Sequence, residues 1–409
     1  MKMPMIEAIA TGSWLDRRRI AMVAQISLGA TVLMFVALFA TAHGTLDFLG
    51  RPLGTDFSNV WSAGWMALHG QAAEAWDWGT QAAVQRAVHH DPQVPFYGWH
   101  YPPPFMLVAA LLALLPYVAA LVVWQAVTLA AALWLVTRIV PDRLTLLAAA
   151  AAPVVMVCLG HGHNGFLTAA LLGGGLLLLD DRPFTAGLLI GCLVYKPQFA
   201  VLLPLVLLAS GQWRAVGGAI LSAGTLVLVT YAIWGWPVWQ AFIDSLPLTR
   251  SVVIEAGNTG WEKIQTAFGA IRALGGSVPL AYAVQGAVTA VALLASLIAT
   301  LRATPAVRNA VVLTAALLST PYALDYDYTL AGMAIAFLVA DGRARGFLRW
   351  EASLLAIAWA MPLFARSIAH ATLIPLGVMS LLALFAVAVR RMALLDHAFA
   401  NITPSPFRR

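Results

Sequence analysis

Residues 17–42 read RRRIAMVAQISLGATVLMFVALFATA: three arginines, then a run from Ile20 to Ala42 without a charged side chain. At about 1.5 Å per residue, such a run crosses a hydrocarbon core of ~30 Å as one helix. It is too long for the apolar region of a cleaved signal, about 7–15 residues, so it reads as a retained first membrane helix. The arginines then place the N-terminus in the cytoplasm.

Further apolar runs follow near 103–115, 117–138, 144–159, 164–180, 184–210 (interrupted at Lys196-Pro197), 214–235, 279–301, 309–321, 328–340, 351–366 and 369–389. The expected fold is all-α: a single membrane-embedded domain over residues 1–409, with about 11–13 membrane helices, outer-face loops and interfacial helices. The 409 residues are 61% hydrophobic and 10% charged, too little charge to clothe soluble domains. A transmembrane β-barrel is excluded as well, because barrel strands alternate apolar and polar residues and these runs do not.

The formal charge of +6 is not a nucleic-acid footprint. Basic residues gather in short segments beside apolar runs, at Arg17–Arg19, Arg302 to Arg308, Arg343 to Arg349, Arg390-Arg391 and Arg408-Arg409, which is the positive-inside pattern. Cys158 and Cys192 both lie inside apolar stretches, so neither a disulfide nor a thiolate metal site is expected.

With the N-terminus inside, the segment His43 to His100 lies outside, and its five acidic residues outnumber Arg51 and Arg86. A second polar stretch, 236–278, is also placed outside, as is Tyr322 to Tyr328. The middle of the chain resists threading. If Asp180-Asp181-Arg182 and Gln212-Trp213-Arg214 face the cytoplasm, then His161 to Asn164 and Lys196-Pro197 sit near the outer face. Counting both 103–115 and 117–138 as crossings then leaves Arg138 to Arg143 outside. Either one of those pieces is re-entrant or the middle is inverted, and no internal repeat helps.

Charge at membrane depth costs a few kcal/mol on insertion scales, so the polar interruptions are where chemistry is sought. Asp56, with Asn59 and Trp61 behind it, fits either a helix N-cap or a carboxylate held at the interface. His100 and Tyr101 precede a run of three prolines; rigid helix entry and belt aromatics account for most of that stretch. His89-His90-Asp91 lacks the ligand spacing of a metal site. The turn His161-Gly162-His163-Asn164 is either a helix break or a site. Lys196, followed by Pro197 and Gln198, is one of three lysines and is remote in sequence from any other charge. It reads as a snorkelling side chain or an anion-binding group. Tyr322, Asp325 and Asp327 belong to a tyrosine-rich segment suited to sugar hydroxyls or to interface anchoring.

The ordered set Asp56-Phe57 with Trp61-Ser62-Ala63-Gly64, Tyr101-Pro102-Pro103, Leu115-Pro116 with Trp124, Gly162-His163-Asn164-Gly165, Arg182-Pro183, Lys196-Pro197-Gln198 and Trp213-Arg214 resembles glycosyltransferase family 87. These are membrane transferases of the GT-C type, typified by polyprenyl-phosphate-mannose-dependent α-mannosyltransferases of glycolipid biosynthesis. The resemblance covers roughly residues 45–330. It implies transfer of a sugar, mannose, from a polyprenyl-phosphate donor to a lipid or polysaccharide acceptor on the periplasmic face of the cell inner membrane. Asp56 is the implied general base, and direct displacement inverts the anomeric centre.

Such chemistry needs a carboxylate to take the acceptor proton and cations or donors to steady the leaving phosphate. Lys196 is the first candidate for the phosphate, with His163, Arg250 and Lys263 behind it. Asn59, Trp61, His100, Tyr101, Asn164, Gln198, Asn258, Tyr322, Asp325 and Asp327 are candidates for sugar or acceptor. No metal, cofactor or nucleic-acid partner is expected, and no nucleotide-binding loop of the usual types occurs. The rival reading is a polytopic transporter or lipid flippase. Its usual signs, related halves and little outer-face structure, do not match these long outer loops.

Overall fold

Capping residues and prolines cut the apolar chain into helices. The computed structural model describes residues 5–400, with side chains through Leu394; Arg408-Arg409 lie outside the described residues. The order is α1 (Met5–Thr11), α2 (Arg17–Ala40), α3 (Phe57–Leu68), α4 (Trp78–His89), α5 (Pro104–Leu112), α6 (Tyr117–Ile139), α7 (Arg143–Ala150), α8 (Pro153–His161), α9 (Gly165–Leu178) and α10 (Pro183–Gly191). It continues with α11 (Leu203–Ala209), α12 (Trp213–Leu248), α13 (Ala267–Ala273), α14 (Val278–Arg302), α15 (Pro305–Leu318), α16 (Thr329–Arg345), α17 (Glu351–Ala360), α18 (Ala365–Thr372) and α19 (Leu376–Ala400). Asp16 caps α2 and Asp142 caps α7, each accepting from a first-turn backbone N–H. No strand occurs among the described residues.

Among the described residues, five helices are long and apolar enough to cross a membrane: α2, α6, α12 with its continuation to Glu255, α14 and α19. The bent pairs α7/α8 and α17/α18 raise this to seven if each is one span, and shorter apolar helices, among them α9 and α15, pack between them. The protein is thus an all-α polytopic membrane protein. Its centre is α15, on which every residue from Val307 to Leu318 is buried.

Ion pairs tie remote segments together at one end of the bundle. Asp142 takes Arg17 at 3.1 Å and Arg343 at 3.3 Å. Asp180 takes Arg308 at 2.9 Å, and buried Arg391 lies between Asp341 (2.6 Å) and Glu351 (2.5 Å). Arg138 to Arg143 therefore lie at the same end as the N-terminal arginines.

That finding answers the threading conflict. The stretch 103–115 is not a full crossing: α5 has nine residues, roughly 14 Å of helix, and packs against α3. The next helix, α6, begins at the opposite end, where the Tyr117 hydroxyl donates to Leu53 O (2.7 Å). The interruption at Lys196-Pro197 is present, with short 3₁₀ turns on either side of Lys196. A correction falls on 236–278, read as a polar loop. Gly235, at φ 72°, breaks α12, but the chain then resumes the helix to Leu248. Pro237 lies two residues past the break, near the start of the resumed helix, where a missing N–H costs little.

Candidate active site

The segment before α3 is clamped before it delivers Asp56. Asp47 accepts from the backbone N–H of Leu49 and Arg51 and pairs with the Arg51 guanidinium. Buried His89 sits between the hydroxyls of Thr45 and Ser58, each at 2.8 Å. Burial lowers the His89 imidazole to about 4.

Two glycines then bring distant segments together. Gly54 (φ 66°) and Gly162 (φ 63°) both adopt left-handed backbone, and Gly162 ends α8 as its C-cap. A Cβ on Gly162 would lie 2.7 Å from Phe57 Cβ and 2.9 Å from Gly54 O. Only glycine permits that approach, and it sets His161 beside Asp56.

Asp56 precedes α3, yet its side chain makes no capping hydrogen bond. Its Oδ2 instead lies 3.2 Å from His161 Nδ1, and the side chain keeps 24% of its surface exposed. Thr55 Oγ1 meets the same imidazole nitrogen at 3.1 Å. Beyond the ring, His161 Nε2 is 3.8 Å from Asp325 Oδ1, and Arg366 Nη1 is 3.5 Å from Asp325 Oδ2. Burial pulls the Asp325 carboxyl upward, but neighbouring His161, with Arg366 and Lys263 adding to it, outweighs that and holds it below the usual carboxylate range.

A second layer packs beneath. Lys196 Nζ bonds Asp327 Oδ1 at 2.6 Å with both side chains almost fully buried, and lies 4.9 Å from the Tyr326 ring centre. The His163 ring stacks on that of Tyr326, with ring centres 3.5 Å apart. His163 Nδ1 meets both the backbone N–H and the Oδ1 of Asn164 at 2.9 Å, and Nε2 lies 2.9 Å from the Tyr101 hydroxyl. Burial first, then the charges of Lys196 and His161, press the His163 imidazole well below its ordinary value and keep it neutral. Asn164 Nδ2 and Asn59 Oδ1 are buried without a partner.

The structure therefore gathers Asp56, His163, Asn164, Lys196, Asp325, Asp327 and Tyr101 at one end of the bundle. Others of the sequence-derived set are engaged elsewhere. Trp61 donates to Leu115 O, His100 meets Thr249 Oγ1, and half-exposed Gln198 lies on the turn after Lys196. Arg250 pairs with Glu255, while Asn258 is exposed. Tyr322, by contrast, is half-buried near Asp56 and Asp327, and burial, with those carboxylates adding to it, raises its phenol.

The sequence marks the turn that carries His161 but gives that residue no role, and it leaves Arg366 out altogether. Arg366 carried the same signal that singles out Lys196, since no other Asp, Glu, Lys or Arg lies between Glu351 and Arg390. Among the described residues no group of three or more His, Cys, Asp or Glu is arranged to hold a metal ion.

Chemically, the arrangement offers a partly open carboxylate oriented by an imidazole, with a half-exposed guanidinium beyond it. The sequence profile of glycosyltransferase family 87 matches residues 99–321. Tyr101, His161, His163 and Lys196 fall inside that span, whereas Asp56, Asp325 and Arg366 lie outside it. No curated protein and no solved structure matches the chain. With more than half of its length matched and an all-helical membrane architecture around the site, the chain belongs to glycosyltransferase family 87 and is a membrane glycosyltransferase.

Proposed function

We propose that the protein transfers a sugar, mannose in the first instance, from a polyprenyl-phosphate donor to a lipid or polysaccharide acceptor, with Asp56 as general base at the outer face. The observation that carries this reading is the Asp56 carboxylate: free of capping duty, open to solvent and held at 3.2 Å by His161. A base must reach the acceptor hydroxyl, and orientation of the base matters as much as its basicity. Asp56 takes the proton while the acceptor oxygen attacks the anomeric carbon and the lipid phosphate leaves with the bonding electrons. One displacement inverts the centre, so a β-linked donor gives an α-linked product.

The leaving phosphate carries negative charge that a nearby cation stabilises. Arg366, 42% exposed beside Asp325, is the candidate that the geometry favours, with Lys263 next. Lys196 was the first choice on sequence grounds, but its ammonium is buried against Asp327. In this reading it positions the Tyr326–His163 stack and reaches the phosphate only through its remaining protons.

The test is to incubate purified protein with synthetic polyprenyl-phosphate mannose, labelled in the sugar, and a membrane lipid extract. Labelled glycolipid with the anomeric configuration inverted is the expected product. Transfer from a nucleotide sugar without the lipid donor, or a retained configuration, contradicts the proposal.

A further inference from the structure

A large cavity lies apart from Asp56. About 630 Å³ opens between α2, α6, α7, α9, α16 and α17, and its walls are apolar: Ile20 and Val23 on α2, Ala132 and Val136 on α6, Met333 and Ala336 on α16. Along α16 it runs from Thr329 to Arg343, roughly 20 Å, more than the depth of one leaflet. On its outer side α2 touches the bundle chiefly through α7, which leaves the cavity bordered by a helix that faces the bilayer.

The two ends of this cavity differ in charge. At the basic end Arg17, Arg19 and Arg343 line the mouth, and Arg17 and Arg343 converge on the single carboxylate of Asp142. At the other end the walls stop at Phe166 and Thr329, where the Thr329 hydroxyl donates to Gly165 O (2.8 Å). Neither Asp56 nor His161 nor Asp325 belongs to the lining.

We infer that this cavity binds an anionic phospholipid from the leaflet at the basic end, its acyl chains between α2, α6 and α16 and its phosphate on Arg17 and Arg343. Two guanidiniums sharing one carboxylate leave positive charge for a headgroup phosphate, for which the planar fork is well suited. On the proposed function a donor lipid would instead present its phosphate at the Thr329 end, toward Asp56, and would leave the basic end unoccupied. The site does not depend on which sugar or acceptor the protein uses.

Delipidated full-length protein in neutral detergent, mixed with phosphatidylglycerol or phosphatidylcholine and counted by native mass spectrometry, tests this. Phosphatidylglycerol is expected to bind at one copy and more tightly than phosphatidylcholine. Arg17→Gln and Arg343→Gln should each weaken it about fivefold, leaving phosphatidylcholine unchanged. A Cβ at Gly332, on the cavity wall, meets nothing within 4 Å, so Gly332→Phe fills the space and should abolish binding. Gly332→Leu replaces it if the larger side chain lowers thermal stability. Equal binding of the two lipids, or phosphatidylglycerol binding that survives the filled cavity, overturns the inference. So does polyprenyl phosphate that displaces phosphatidylglycerol and is itself lost in Gly332→Phe, since the cavity then belongs to the donor.

Discussion

Asp56 Oδ2 and His161 Nδ1 lie 3.2 Å apart, joined across the start of α3 and the end of α8 by two left-handed glycines. In the proposed mechanism His161 is a positioning residue, holding the base while Asp325 and Arg366 hold the far side of the ring. His161→Ala should lower kcat by about 10–100-fold with KM little changed, the penalty of a misplaced group. His161→Gln, which keeps one polar contact, should recover part of it. Steady-state kinetics on both variants check this, and a rise in KM alone would assign His161 to substrate binding instead.

Gly162→Ala tests the joint itself. A left-handed backbone costs a non-glycine residue about 1–2 kcal/mol, and the new methyl also meets Phe57 Cβ at 2.7 Å. Thermal unfolding in detergent should show at least that loss, together with reduced transfer. Gly332→Ala, within α16 where nothing is in the way, is the control and should lower neither, since alanine suits a helix interior better than glycine.

Lys196 and Asp327 form a buried pair, so deleting one partner is predicted to cost more than deleting both. Lys196→Met leaves buried Asp327 without its cation, a loss of about 3–5 kcal/mol, whereas Lys196→Met with Asp327→Leu should regain most of it. Unfolding of the single and double variants measures this. If the double variant folds yet transfers no sugar, Lys196 has a second role at the phosphate.

His89 gives a prediction for pH. Its folded value of about 4 lies below the ordinary 6.5, so between those values the unfolded chain binds the proton and the folded chain does not. This increment of stability is complete above about 6.5 and is lost as pH falls toward about 4. Melting temperatures over that range should fall in the wild type and fall less in His89→Gln. Equal slopes would contradict the assignment.

Much of the architecture was legible because hydropathy is local. The run 20–42 announces α2, and the lone Lys196-Pro197 announces a break between α10 and α11. Hydropathy failed at α5, whose nine residues are as apolar as a spanning helix yet stop short, and at 236–248, where tryptophans and prolines disguised a continuing helix. The site was half legible for a different reason. Asp56 and Lys196 stand out as isolated charges, but that Lys196 is neutralised by Asp327, and that Arg366 stands behind Asp325, depends on pairings across long stretches of chain that no spacing rule encodes.

The central claim rests on Asp56, and the most direct measurement is single-turnover transfer by Asp56→Asn beside the wild type, with donor binding measured on the same preparations. Asparagine preserves the size of the side chain but does not accept the proton. The account predicts transfer slowed by about 10²–10⁴-fold with donor affinity and melting temperature unchanged. Transfer at the wild-type rate in a folded, donor-binding Asp56→Asn would contradict it.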